Sequence, residues 1–362
     1  MNADARLAAL RRRLADSEAE ALFVTCVSNV VYLTGFDGVF DADASAACLV
    51  TRDEARVYTD SRYAEAAGLA SQGTAWSVTV SANSLDARMC EDLTGAGARV
   101  LAFETSLTYA RHRVLSEHSG ARLLATEQWV EELREVKEAA ELERISGAAA
   151  LTDRAFEHIL GVLALGMTES EVAVELESFM RRNGSEGVAF PSIVASGPNS
   201  SRPHASVTDR RIERGDALTM DFGARIGGYC ADMTRTVVIG KATEEFQRVY
   251  EAVRAANIVG REAMRAGVPG VDIDRAARDS LDAVALGEHF GHGLGHGVGL
   301  DVHELPVVSP RDTRPVPVGA VVTVEPGAYL EGRFGVRIED LVVIEDGGCR
   351  TLTASRRDLI EV

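Results

Sequence analysis

Four carboxylates in this 362-residue chain stand in two symmetric pairs. The first pair lies in Leu218–Val238, LTMDFGARIGGYCADMTRTVV, where apolar runs flank a turn at Arg225-Ile226-Gly227-Gly228. Asp221 and Asp232 are equidistant from the centre of that turn. A hairpin there would set them directly across from each other, with Cβ atoms about 4.5–5.5 Å apart. The second pair lies in Val321–Val343, VVTVEPGAYLEGRFGVRIEDLVV, where Glu325 and Glu339 are equidistant from Gly332. Gly327 and Gly335 are candidate bulge positions that would slip this register. Opposed like charges destabilise a strand pair. Carboxylates among apolar residues are costly unless they are paired or metal-bound. One such pair could be met by solvent or an arginine. Two pairs, each centred on its own turn, point to two hard or borderline divalent cations.

Four of the eight histidines fall within EHFGHGLGHGVGLDVHE, between His289 and His303. Glycines at 291, 293, 295, 297 and 299 argue against a helix there. His292 and His296 are therefore not a helical zinc pair, and no HExxH signature is present. The glycines suggest close backbone approach instead. A histidine alone in such a stretch would more often be structural; beside two acidic hairpins the cluster reads as part of a site. His204 stands apart, in the loop PSIVASGPNSSRPHASVTD. His112, His118 and His158 lie in helical or surface-like segments and read as structural.

The elements that position these groups follow from the pattern. An amphipathic helix at the N-terminus precedes a strand over Ala21–Val27, and Asn29–Phe36 leads into a loop rich in Gly and Asp. Ala47–Thr51 and Ala55–Thr59 flank Arg52-Asp53-Glu54 as a hairpin. Trp76–Val80 and Val100–Phe103 are further strands of a mixed α/β domain over residues 1–128. From Glu127 to about Leu165 the pattern is helical, with a break near Glu135–Lys137, and a second domain spans 129–362. Another helix opens on Thr168, an N-cap with Glu171 three residues on, and ends at Asn183-Gly184. Helices resume over about Thr243–Ala266 and Asp272–Ala285, and Gly-rich strands follow from His289.

Composition narrows the function class. The chain is 46% hydrophobic and carries a formal charge of −17, which argues against nucleic acid as a partner. Lys137 and Lys241 are its two lysines. Five scattered cysteines without a CxxC pair predict neither a disulfide framework nor a thiolate zinc site. No run of about 18 apolar residues would span a membrane, and the reducing cytoplasm is the expected location.

Taken together, MDFG (220–223), ADMTRT (231–236), GHGLGHGVGLDVHE (291–304), VEPG (324–327) and VRIED (336–340) resemble the methionine aminopeptidase/aminopeptidase P/prolidase metallopeptidases. The resemblance covers about Leu142 to the C-terminus and implies the pita-bread catalytic fold. The N-terminal part, including SNVVYLTGF (28–36), is similar to the creatinase-type domain of the proline-specific members. The resemblance implies that Asp221 binds one metal, that Asp232 and Glu339 bridge two, and that His296 and Glu325 complete the ligand set of the second metal. It places His204 and His303 on either side of the reacting carbonyl and His292 near the substrate. Arg337 would brace the bridging ligands or the substrate. One histidine with four carboxylates is an oxygen-rich set that favours Mn²⁺, with Co²⁺ or Zn²⁺ able to fill the same shell.

The implied reaction is cleavage of an Xaa-Pro bond by metal-activated water. Glu325 would carry a proton to the leaving nitrogen, and His204 and His303 would stabilise the oxyanion. A dipeptidase must bind a free carboxylate beside the proline, for which arginine is the natural side chain. His303-Glu304-Leu305-Pro306 is instead followed by Val307, which leans towards an aminopeptidase acting on longer peptides. The Asp37–Asp43 loop could supply the missing contact, so Xaa-Pro dipeptidase stands as the alternative. A metal-free hydrolase of the creatinase kind, or a non-enzymatic binding module, would lack ligands that are all present here. The resemblance also implies a dimer or tetramer.

Overall fold

The computed structural model describes residues 3–41 and 44–362. Asp43, at the end of the 37–43 loop singled out above, lies outside the described residues. The chain forms two compact units, one ending at Arg134 and the other running Glu135–Val362.

The first unit contains α1 (Ala3–Ala15), β1 (Ala21–Val24), α2 (Val27–Thr34), β2 (Ala46–Thr51), β3 (Ala55–Thr59), α3 (Ala64–Ala70), β4 (Ser77–Val80), α4 (Leu85–Ala96), β5 (Val100–Glu104), α5 (Tyr109–His118) and β6 (Arg122–Thr126), followed by α6 (Glu131–Glu135). Its strands form one mixed sheet in the order β4-β3-β2-β1-β5-β6. The β2–β3 hairpin forms where the turn residues place it, with Ala47 opposite Tyr58. In α1, Leu7, Leu10 and Leu14 recur at helical spacing and are buried. Phe23, Leu49, Tyr58 and Leu101 pack in the core.

Two local expectations change here. The strand opening at Ala21 stops at Val24, and the next residues form α2 rather than the lead into a loop. The reason is Glu104. Its buried carboxylate accepts the backbone N–H groups of Thr25 (2.6 Å) and Cys26 (2.9 Å), which removes these donors from the sheet. Gly35, at φ 71°, then closes α2 in the left-handed conformation that favours glycine. The helical run expected from Glu127 starts at Glu131, after β6 and after Gln128 turns the chain at φ 59°.

The second unit contains α7 (Ala139–Val162), α8 (Glu169–Arg182), β7 (Ile193–Ser196), β8 (Ala217–Phe222), β9 (Arg225–Ile226), β10 (Tyr229–Cys230), β11 (Met233–Val238), α9 (Glu244–Ala263), α10 (Gly270–Asp282), β12 (Gly295–Gly297), β13 (Glu304–Val308), β14 (Val321–Val324), β15 (Gly327–Leu330), β16 (Phe334–Arg337), β17 (Asp340–Glu345) and β18 (Gly348–Thr351). The break before α7 and the Thr168–Glu171 capping box of α8 form as the sequence predicts. One sheet runs β11-β8-β7 and another β13-β12-β14-β17-β18. Val322, Val324, Ile338 and Val342 pack with Val249 and Val253 of α9 and with Ile273 and Ala277 of α10. Buried Asn257 of α9 donates to the carbonyls of Val324 (3.0 Å) and Ile338 (3.2 Å). Among the described residues, no helix is long and apolar enough to cross a membrane.

A buried ion pair closes the far side of these hairpins. Arg235 of β11 reaches Asp340 of β17 at 2.9 Å, and Arg357 reaches the same carboxylate at 2.6 Å. Burial alone would raise the Asp340 carboxyl, but Arg235, Arg357 and Arg261 together hold it down at about 2. Its stabilising contribution is therefore present above its ordinary value of 3.8 and lost as pH falls towards 2. Asp340→Asn should lower the unfolding free energy of the protein by about 3–5 kcal/mol, since it leaves Arg235 buried and unpaired. Urea denaturation of both proteins at neutral pH and at successively lower pH checks this, and the gap between them should shrink on the acid side.

Candidate metal centre

The first hairpin sets its aspartates on one face, although not opposite each other. Gly227 and Gly228 both have positive φ, at 55° and 81°, and form a two-residue turn. Ile226 and Tyr229 are already paired, so the ladder is centred between the two glycines. Asp221 consequently pairs with Thr234, and the expected Asp221–Asp232 register is displaced by two positions. A two-residue shift preserves the face because strand side chains alternate with period two. Asp232 therefore remains a diagonal neighbour of Asp221.

The second hairpin keeps the expected register. Val324 pairs with Asp340 and Gly327 with Arg337, and both ladders are centred on Gly332, which has φ 69°. That places Glu325 across from Glu339. The β15–β16 ladder is continuous, so Gly327 and Gly335 mark no bulge. At Gly335 a Cβ would collide with the backbone carbonyl of Ser200, which passes directly over the strand.

The Gly-rich histidine segment forms β12, a strand with backbone pressed close on both sides. A Cβ at Gly295 would strike the Thr323 carbonyl, and one at Gly297 the Leu305 carbonyl. This packing aims His296 at the carboxylates. Its Nε2 lies 3.3 Å from Glu325 Oε1 and 3.8 Å from Asp232 Oδ2. Its Nδ1 lies 3.1 Å from the Gly297 carbonyl, which can only accept. Nδ1 therefore carries the proton, and Nε2 faces the acids.

All nine residues singled out from the sequence line one cleft of about 310 Å³ in this unit. Asp221, Asp232, His296, Glu325 and Glu339 form its floor, and His204, His292, His303 and Arg337 stand around them. His204 and His303 are exposed, whereas Asp232, Glu339 and Arg337 are buried. Phe190, Ile193, Val302 and Val307 add apolar wall.

The electrostatics suit the binding of positive charge. Burial, then the charges of Glu339 and Asp221, push the Asp232 carboxyl well above its ordinary value. Burial and Glu325 do the same to Glu339. Burial would also raise Glu325, but its hydrogen bond and charge interaction with His296 hold it at about 2. The buried Oδ1 atoms of Asp221 and Asp232 have no hydrogen-bond partner. Asp232, His296 and Glu339 each offer a ligand atom within 4.8 Å of the others. Orphaned oxygens, carboxyls whose pKa is pushed up by burial and mutual repulsion, and an inward imidazole nitrogen suit divalent cations.

Several residues at the site escaped the sequence reading. Thr234 donates to Glu339 Oε2 at 2.7 Å and accepts from Arg337 Nε at 3.0 Å. The Tyr329 hydroxyl accepts from Arg337 Nη1 at 2.8 Å and lies 2.9 Å from His292 Nε2. His292 Nδ1 faces the Gly293 carbonyl at 2.8 Å, so the tyrosine donates to Nε2. Burial lowers the His292 pKa and favours that neutral ring. Thr323 Oγ1 lies between the His296 N–H (3.0 Å) and Glu325 Oε1 (3.2 Å). A usable signal existed: Thr234 is two residues beyond Asp232, Thr323 two before Glu325, and same-face alternation would have found both.

Comparison with known proteins shows the family of the chain. The model of metallopeptidase family M24 matches residues 143–346, and that of the creatinase/prolidase N-terminal domain matches residues 6–136. The chain is similar to an Xaa-Pro dipeptidase of Pyrococcus furiosus, 37% identical over 72% of this chain and 75% of that protein. Among solved structures it resembles an Xaa-Pro dipeptidase from Bacillus anthracis, with TM-score 0.94, 34% identity and full coverage of both chains. It also resembles an X-Pro aminopeptidase from Thermotoga maritima, with TM-score 0.85, 36% identity, and 97% and 100% coverage.

Because burial pushes the Asp232 and Glu339 carboxyls towards their protonated forms, cation binding should release protons. Titrating Mn²⁺ into chelator-treated protein should therefore give a calorimetric enthalpy that changes with the ionisation enthalpy of the buffer. Equal enthalpies in phosphate and Tris would contradict this account.

Proposed function

The chain belongs to metallopeptidase family M24, and from that premise we propose that it is a two-metal Xaa-Pro aminopeptidase. Asp221, Asp232, His296, Glu325 and Glu339 would hold the ions, with Asp232 and Glu339 shared between them. The oxygen-rich donor set favours Mn²⁺. When bound, two such cations supply Lewis acidity and bring the ionisation of water into the neutral range.

The protein's own groups account for the rest. Glu325 is held ionised beside His296, so it can take a proton and pass it to the departing nitrogen. A proline nitrogen carries no hydrogen in the peptide and must gain one before it leaves. His303 and His204 stand exposed on the cleft, where either can donate to the oxygen of the tetrahedral intermediate. Partial desolvation of its ring, then the neighbouring His296, lower the His303 pKa, which favours its neutral, hydrogen-bonding form near pH 7. Arg337 keeps Asp221 in place through Nη2–Oδ2 at 2.6 Å.

The observation that carries the aminopeptidase reading is the state of that arginine. Among the described residues lining the cleft, Arg337 is the one guanidinium, and it is committed to Asp221, Tyr329, Thr234 and the Pro203 carbonyl. Among the described residues lining the cleft, no other Arg or Lys is left for the free carboxylate of a dipeptide, and Val307 presents an apolar surface instead. The second reading, Xaa-Pro dipeptidase, is favoured by the names of the similar proteins from Pyrococcus furiosus and Bacillus anthracis.

Removing metal with a chelator should abolish hydrolysis, and adding Mn²⁺ should restore it. Xaa-Pro-Yaa tripeptides should then be cleaved with higher kcat/KM than Xaa-Pro dipeptides, and the reverse order would establish the dipeptidase. Asp232→Ala should lose both ions by elemental mass spectrometry. His204→Ala should keep both and turn over about 10²–10³-fold more slowly, as for loss of one oxyanion donor.

A further inference from the structure

His204 lies on a strap, residues 196–208, that leaves the end of β7 through a short 3-10 helix (Gly197–Ser201) and continues as irregular chain. Among the described residues no hydrogen bond orients its ring, so the position of the imidazole depends on the backbone of the strap. The strap is pinned along its first half. Ser200 Oγ accepts the Gly335 N–H at 2.9 Å, and Ser201 Oγ accepts the Gly332 N–H at 3.2 Å. Arg337 donates to the Pro203 carbonyl at 3.1 Å.

Both ends converge on a single carboxylate. Glu169, the first residue of α8, is fully buried. Its Oε1 accepts the Ser196 N–H (2.7 Å), the Ser196 hydroxyl (2.8 Å) and Asn199 Nδ2 (3.0 Å) from the start of the strap. Its Oε2 accepts the Thr208 N–H (3.1 Å) and the Thr208 hydroxyl (2.5 Å) from its end. Capping of the helix does not explain this residue, because Thr168 and Glu171 already form a complete capping box. A buried carboxylate costs several kcal/mol to desolvate. The network of donors from two separate segments offsets that cost, and an apolar residue could not tie those segments together.

We propose that Glu169 is a positioning residue for turnover, a clamp on both ends of the strap that sets where His204 stands in the cleft. The proposal rests on the reading of His204 given above. Glu169 is not among the residues lining the cleft, so its effect on turnover would be transmitted by the strap that carries His204.

A double-mutant cycle tests this on the Mn²⁺-loaded enzyme. Glu169→Gln turns an amide NH₂ towards donors that need an acceptor. It should retain both metal ions and lower kcat by about 10–100-fold, the scale of a misplacement of roughly 1 Å, with KM little changed. In the His204→Ala background the same substitution should cost little more, since both changes remove one function. Thr208→Val keeps the buried charge and deletes one hydroxyl, which donates to Glu169 Oε2 and accepts more weakly from the Arg210 N–H (3.2 Å) and Asn199 Nδ2 (3.4 Å). It should give a smaller loss of kcat that also vanishes in the His204→Ala background, and it decides the matter if Glu169→Gln does not fold. Equal fold-losses in the two backgrounds, or wild-type kcat in both Glu169→Gln and Thr208→Val, overturn the clamp. Wild-type turnover by His204→Ala overturns the role of His204 in the site, and the clamp with it.

Discussion

Four carboxylates crowded into one cleft are the constraint around which the second unit is organised. Two unit charges 4 Å apart at a protein surface repel by about 4 kcal/mol, and by more where water is excluded. Asp232 and Glu339 feel this most, since both are buried and both are pushed towards holding protons. Such an arrangement persists only where the backbone resists it. The paired hairpins do so through their ladders and through a core of Val322, Val324, Ile338 and Val342 packed against α9 and α10.

Side chains outside the carboxylate set carry the remaining load. Thr234 joins the two hairpins by bonding Glu339 and Arg337 together. Arg337 counters the charge of Asp221, and Tyr329 links that guanidinium to His292. On the opposite face Arg235 and Asp340 neutralise each other. Asn257 caps the two carbonyls beside Glu325 and Glu339, fixing α9 to the backbone where the strands part. Each of these contacts removes a way for the acids to separate. The acids are thereby held together by the protein's own contacts, as the proposed cation site requires.

Rigidity is unevenly distributed. The acids sit on strands, and His296 on a strand compressed between glycine-permitted contacts. His204 and His303 sit on irregular segments at the open side of the cleft. Groups that hold charge in place are thus built into ladders. The groups we propose to meet a substrate stand on loops, and the loop that carries His204 is held by anchors such as Ser200, Ser201 and Glu169.

Much of this was legible in the amino-acid sequence. The symmetry of Glu325 and Glu339 about Gly332, the alternating glycines around His296 and the capping box at Thr168 are local patterns. Local chemistry enforces them: turn geometry, period-two alternation and helix-end hydrogen bonding. The Asp221–Asp232 register was misjudged by two positions because Gly227 and Gly228 alone make the turn, yet the shared face survived since two is the period of a strand. The helix over Val27–Thr34 was not legible, because a distant carboxylate on Glu104 takes the backbone donors that would have extended the strand. Thr234, Tyr329, Asn257 and Glu169 likewise acquire meaning only through partners as many as about a hundred residues away in the chain. The sequence by itself determined which groups could hold metal and on what kind of element each would sit. Only the tertiary structure decided their protonation, their partners and the clamps that aim them. Those depend on burial and on distances between segments that no local pattern encodes.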